Sequence, residues 1–152
     1  RRYHHVRVGV NSRIDTLQAA ILLPKLEILD DEIEARQRVT QTYGELFAKA
    51  GISTTPYVES YNRSAWAQYT IQVSDRDTLQ AKLKAAGIPT AVHYPIPIHR
   101  QRGYAETVVM ACKGLAATEA FVDEILSLPI YPELSDAEVD QVIASIRRYW
   151  SN

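Results

Sequence analysis

Gly9-Val10-Asn11-Ser12-Arg13-Ile14-Asp15-Thr16-Leu17-Gln18-Ala19-Ala20-Ile21-Leu22 opens the longest helical pattern in the sequence, and the rest of the chain is read outward from it. The pattern predicts one helix from about Ile14 to Ala50. Leu22, Leu26, Leu29, Ile33, Tyr43 and Phe47 recur at spacings of three and four and so share a face. Ile14, Leu17, Ile21 and Ile28 widen that stripe, which leaves the first half apolar over much of its circumference. Such a helix is sandwiched between two layers or packs on a partner subunit. The stretch from Asp30 to Arg38 is strongly charged and keeps a face in water. Pro24 removes a backbone donor inside the pattern and predicts a kink. Gly51 is the expected C-terminal stop.

At the mouth of this helix, Ser12 and Asp15 read as a Ser-x-x-Asp cap, with Asn11 and Arg13 beside it. Free N–H groups, the positive end of the helix dipole, an amide and a guanidinium converging there would make an anion site. The plainer reading is that these residues cap the helix and bond nearby carbonyls, and the local pattern alone favours it.

Beyond Gly51 the periods shorten. Ser53 to Tyr61 reads as a short strand plus loop, and Tyr69-Thr70-Ile71-Gln72-Val73 as a strand. Ser74 and Asp77 resemble a capping box for a helix through Leu79, Leu83 and Ala86, which Gly87 ends. Thr90 to Tyr94 reads as a second strand, followed by an extended run through Ile98 and His99 that Pro95 and Pro97 impose. A helix over about Gly114 to Glu124, a strand Ile125 to Leu128, and a helix opened by Ser135 and Glu138 complete the order. In that last helix Val139, Val142, Ile143 and Ile146 face inward. One long helix followed by this alternation predicts an α+β fold with a small, largely antiparallel sheet.

The totals exclude several classes. At 152 residues and 46% hydrophobic, the chain has material for a real core. Its 17 basic and 18 acidic side chains give no electrostatic reason to expect nucleic acid. No apolar run approaches the ~20 residues that span a bilayer. Cys112 stands alone, which rules out an internal disulfide and suits a reducing, cytoplasmic setting. The opening Arg1 to Val8 lacks both an initiator Met and the apolar stretch of a signal peptide, so the chain reads as a piece of something longer.

Chemistry-bearing residues concentrate in His93-Tyr94-Pro95-Ile96-Pro97-Ile98-His99, continuing through Arg100, Gln101, Arg102 and Tyr104. Two prolines stiffen a loop at a strand end and display His, Arg and Tyr, which suits a polar substrate-facing loop. The plainer alternative is a surface loop whose rings cover the sheet. No carboxylate or thiolate shares the segment with His93 and His99, so no metal is expected. Arg1 to Arg7 could contact a phosphate, although a solvated strand is the simpler reading. Tyr57, Tyr61 and Arg63 are ambiguous, while Trp66 and Tyr69 read as core or sheet face. No nucleophile elbow, P-loop or dinucleotide fingerprint is present.

Together these segments resemble one family. Gly9 to Leu22 is similar to the G-x-N-x-R-x-x-x-L-Q-A-A stretch of the DegT/DnrJ/EryC1/StrS aminotransferases. Tyr69-Thr70-Ile71, Gly87-Ile88-Pro89-Thr90, His93-Tyr94-Pro95 with His99, Gln101 and Tyr104, and Leu126 to Pro129 with Pro132-Glu133-Leu134 follow in the family's order and spacing. The run from His93 to Gln101 looks most like the subgroup acting on UDP-linked 3-keto-2-acetamido uronic acids in surface polysaccharide (lipopolysaccharide) synthesis.

The resemblance implies the C-terminal small domain of a fold type I, pyridoxal-phosphate-dependent homodimer. Residues 1–50 would be an interdomain segment and long helix, and residues 51–152 the small domain. It implies that Asn11 reaches the cofactor phosphate of the neighbouring subunit, that Arg13 lies near the substrate, and that His93 and Tyr94 face the active site. Glutamate would give its amino group, by way of the cofactor, to a nucleotide-linked keto sugar. The lysine that holds the cofactor belongs in the family to a preceding serine-rich segment; Lys25, Lys49, Lys82, Lys84 and Lys113 lack its motif. The chain by itself is therefore expected to be inactive, and to self-associate through Ile14 to Leu29. Two alternatives are a non-catalytic relative that binds a nucleotide sugar or protein partner in regulation, and a free-standing ligand-binding module. The girth of the first helix argues against the second of these.

Overall fold

A computed structural model of the chain describes residues 3–7, 9, 13–104 and 115–150. The elements among them are α1 (Thr16–Glu27), α2 (Leu29–Lys49), β1 (Tyr69–Gln72), α3 (Arg76–Ala85), α4 (Ala116–Glu124), β2 (Ile125–Leu128) and α5 (Asp136–Trp150). Short 3-10 turns lie at Ile98–Arg100 and Arg102–Tyr104. This is the α+β architecture expected, with the sheet reduced to one antiparallel pair. Tyr69 pairs with Leu128, Thr70 with Ser127, Ile71 with Leu126 and Gln72 with Ile125.

The expected single helix is two. Pro24 stays inside α1, and the break falls at Ile28, at φ −104° and ψ 2°. Charge explains the position. Lys25 lies in the last turn of α1, whereas Asp30, Asp31 and Glu32 fill the first turn of α2, so each terminus carries the sign its dipole favours. The inward face divides at the same point. Tyr43 and Phe47 are fully buried, but Leu22, Leu26 and Leu29 are exposed, and α1 buries none of its residues.

Other boundaries shift for local reasons. Residues 53–68 form no strand; they run as coil, tied to α2 where Gln37 donates to the Ser64 carbonyl at 2.7 Å and accepts from the Trp66 indole at 3.0 Å. The cap of α3 is Asp75, whose carboxylate accepts from the Thr78 amide, and not Ser74. Gly87 ends that helix at φ 76°, a left-handed conformation that favours glycine. Only Ala91 of the expected strand Thr90 to Tyr94 pairs with the sheet, bridging Ser127. The extended run through His99 closes instead into the turn at Ile98–Arg100. The expected Gly114 and Cys112 placements lie outside the described residues. α4, β2 and α5 match expectation, and Ser135 and Glu138 bond each other at the start of α5.

The core joins α2, the inner face of the sheet, α3 and α5. Tyr43 stacks on Tyr69 at 4.9 Å between ring centroids and donates its hydroxyl to the Pro129 carbonyl at 3.0 Å. Leu79, Leu83, Val139, Val142, Ile143 and Ile146 close around them. Burial pushes the Tyr69 phenol up from its ordinary 10.0 to about 12. Tyr43 moves in the same direction, first by burial and then by its neighbour Tyr69. Below pH 10 both phenols are protonated in folded and unfolded chains alike, and their contribution to stability is complete. Between pH 10 and about 12 only the unfolded chain releases the Tyr69 proton, so stability falls as pH rises. Melting temperature should therefore drop across that window, and less steeply in Tyr69→Phe. Equal slopes in both proteins would refute the burial assignment.

Candidate functional site

The sheet's register has a chemical consequence at Ser127. Its backbone pairs with Thr70 on one side and Ala91 on the other, so two strand neighbours converge on one buried residue. The Ser127 hydroxyl lies 2.9 Å from that of Thr70 and 3.4 Å from Nδ1 of His93. His93 is thus set two residues beyond the bridge, its ring supported from below. The peptide joining it to Tyr94 is cis. Tyr94 is exposed, and its ring meets His93 and Tyr3 edge-on, with both centroids at 5.6 Å.

His93 and Tyr94 line a cleft of about 710 Å³, whose other walls are the segment Tyr3, His5, Arg7 and Gly9, the loop through Gln101 and Tyr104, and the Phe121 face of α4. That size suits a small organic ligand. Its lining mixes apolar side chains, Ile96, Ile98, Phe121 and Val122 among them, with the polar Arg7, His5, His93 and Gln101. Two fastenings hold the loop. His99 and Arg100 both bond Glu119 of α4, the latter through Nε at 2.9 Å, and the His99 ring is nearly buried there. Gln101, 6% exposed, bonds the backbone of Tyr3, His5 and Ile96.

The structure unites His93 with Tyr94 but does not add Arg13 to them. Arg13 is exposed ahead of α1 and does not line the cleft. Asn11 lies outside the described residues. Ser12 also lies outside the described residues, and Asp15 forms a capping box with Gln18: the carboxylate accepts from the Gln18 amide at 2.9 Å, and Gln18 accepts in return from the Asp15 amide at 3.2 Å. Arg7 and His5 belong to the Arg1 to Arg7 segment that the sequence offers as a phosphate contact, whereas sequence reasoning missed Ser127 and the role of Gln101. The strand alternation through Ser127 is a local signal, since a serine between Leu126 and Leu128 marks the opposite sheet face.

Pyridoxal phosphate needs an amine for attachment, and the described residues that line the cleft supply no lysine. Lys25, Lys49, Lys82 and Lys84 are exposed and none lines the cleft. The donor set of Arg7, His5, His93 and Tyr94 suits a polar, acidic ligand and not the covalent half of a cofactor site.

The family model described as the DegT/DnrJ/EryC1/StrS aminotransferase family matches residues 1–147. The UDP-2-acetamido-2-deoxy-3-oxo-D-glucuronate aminotransferase of Pseudomonas aeruginosa is 50% identical over 147 residues, which are 96% of this chain and 39% of that protein. A pleiotropic regulatory protein of Geobacillus stearothermophilus is 39% identical over 150 residues, covering 97% of this chain and 40% of the relative. Among solved structures, a DegT DnrJ EryC1 StrS aminotransferase from Brucella abortus superposes with a TM-score of 0.85 at 44% identity, over all of this chain and 40% of that one. The chain thus spans about 40% of the relatives it matches.

Proposed function

The chain belongs to the DegT/DnrJ/EryC1/StrS aminotransferase family, and from that premise we propose that it forms the substrate-facing part of a pyridoxal-phosphate-dependent nucleotide-sugar aminotransferase. The observation that supports this most is the cleft that holds His93 and Tyr94 over Ser127, with no lysine among its described lining residues. Such a wall serves a reaction whose cofactor is held by the rest of the enzyme. The cofactor supplies the electron sink when bound; the residues here bind and orient the sugar. His93 and Tyr94 would contact it from the loop, Arg13 would approach it from ahead of α1, and Asn11 would reach the cofactor phosphate of a neighbouring subunit. The proposed exchange takes an amino group from glutamate to a UDP-linked 3-keto-2-acetamido uronic acid, in a cytoplasmic route to surface polysaccharide. Residues 1–50 would link the cofactor-bearing portion to a small domain over 51–152, although the core takes residues from both sides of that boundary.

The test is direct. The complete polypeptide carrying this chain, given pyridoxal phosphate, glutamate and the keto sugar, should yield the amino sugar and 2-oxoglutarate by mass spectrometry. Absence of both products with the cofactor bound would sink the assignment and favour a regulatory reading, which the likeness to the pleiotropic regulatory protein keeps in view.

Partner contacts follow from α1. Ile14, Leu17, Ile21, Leu22, Leu23 and Leu26 are all more than two-fifths exposed, a large apolar surface to leave in water. We expect the chain to self-associate through it in a homodimer. Light scattering should show the dimer, and Leu22→Glu with Leu26→Glu should yield monomers. A parent chain that is strictly monomeric would refute the contact.

A further inference from the structure

The cleft's charge is one-sided. Among its described lining residues Arg7 is the one fixed cation, His5 and His93 stand with it, and none is Asp or Glu. Arg7 is exposed and forms no ion pair with any described residue. Its neighbours across the cleft include Ile96, Ile98, Phe121 and Val122. A guanidinium beside an apolar wall interacts more strongly with an anion than one surrounded by water.

Arg7 comes from a segment far in sequence from the loop it faces, and particular contacts hold the two together. Oε1 of Gln101 accepts from the His5 amide at 2.9 Å, while Nε2 donates to the carbonyls of Tyr3 at 3.0 Å and Ile96 at 3.3 Å. The amide thus uses both ends on three backbone groups. The Gly103 amide donates to the His5 carbonyl at 3.0 Å. A Cβ at Gly103 would lie 3.1 Å from the Arg7 carbonyl carbon, so any larger residue there would press the two segments apart by a few tenths of an ångström. Tyr3, an acceptor in this clasp, sits at φ 65°, a conformation uncommon outside glycine that the surroundings must hold in place.

We propose that Arg7 binds an acidic group of the nucleotide sugar and that Gln101 is the positioning residue that sets Arg7 at the cleft; this rests on the aminotransferase reading and specifies its substrate as acidic at the point of contact. Two sources share that chemistry, the carboxylate of a uronic acid and the diphosphate of the nucleotide.

Isothermal titration calorimetry on the complete polypeptide separates them, with UDP-N-acetylglucosaminuronic acid, UDP-N-acetylglucosamine and UDP as probes. Arg7→Gln should weaken the acidic sugar about tenfold or more, the scale of one charge-assisted bond. Loss confined to the acidic sugar identifies the carboxylate, and equal loss for all three identifies the diphosphate. Unchanged affinity for every probe overturns the proposal. Gln101→Leu should weaken the same probes and speed amide exchange at His5 and Gly103. The double variant should bind no worse than Arg7→Gln alone, because both act through one contact. Additive losses would show Gln101 to be merely structural and overturn its positioning role. Gln101→Asn, which keeps the amide but shortens its reach, replaces Gln101→Leu if the latter fails to fold. Binding needs no turnover, so a protein that binds through Arg7 yet transfers no amino group sinks the catalytic reading alone.

Discussion

Phe47→Ala should destabilise this chain by about 3–5 kcal/mol, the scale for truncating a fully enclosed aromatic ring. Phe47 is 0% exposed and lies beside the Tyr43–Tyr69 pair, at centroid distances of 6.2 and 6.3 Å. Those rings stack on each other and cannot both move into a void without breaking that contact or the Tyr43 bond to Pro129. The site therefore relaxes poorly, which places the loss toward the upper end. Domains hold only about 5–15 kcal/mol in total, so much of the chain's stability is at stake. Urea denaturation followed by circular dichroism measures it. Leu17→Ala, in a residue 78% exposed, is the matched comparison and, with both substitutions made in the monomeric Leu22→Glu, Leu26→Glu background, should shift stability by less than about 0.5 kcal/mol. If the two substitutions cost the same, the core does not sit where α2 meets the sheet.

That contrast also shows how far the sequence could be read. Both residues belong to one continuous apolar period, and periodicity cannot say where an inward face stops being covered. The break at Ile28 was hidden for the same reason, since the period runs through it and only the charges at Lys25 and Asp30 to Glu32 mark the two termini. α5 was legible because its Ser135–Glu138 cap and its inward residues lie within a few turns of each other. Thr90 to Tyr94 reads as a strand that stops against Pro95, but pairing needs a partner edge, and only Ala91 reaches one. Of the cleft, His93 and Tyr94 could be found from their loop, because two prolines announce it. Arg7 stands out within its basic segment, but its place beside that loop does not, since what brings it there is a buried amide bridging residues 96 to 98 positions apart, and no local pattern encodes such a bridge.

His93→Ala in the complete polypeptide should lower kcat/KM for the nucleotide sugar by roughly 10–100-fold, the range for losing a hydrogen bond to a polar or charged ligand group. His93 is held from beneath by Ser127, itself fixed by backbone bonds to Ala91 at 2.8 and 3.1 Å and by the Thr70 hydroxyl. The ring is therefore prearranged and spends little of its interaction on ordering. Ser127→Ala removes the support but leaves the ring, and should cost less, within about tenfold, mostly in KM. The order of these two effects is the informative part. A contact residue propped by a second one loses most when it is itself removed, whereas a residue that only fills space between sheet and loop would lose stability and leave catalysis alone. Steady-state kinetics and melting temperature measured on both variants distinguish these cases. Unchanged kcat/KM with a lowered melting temperature in His93→Ala would remove His93 from the substrate wall and leave it a packing residue of the sheet edge.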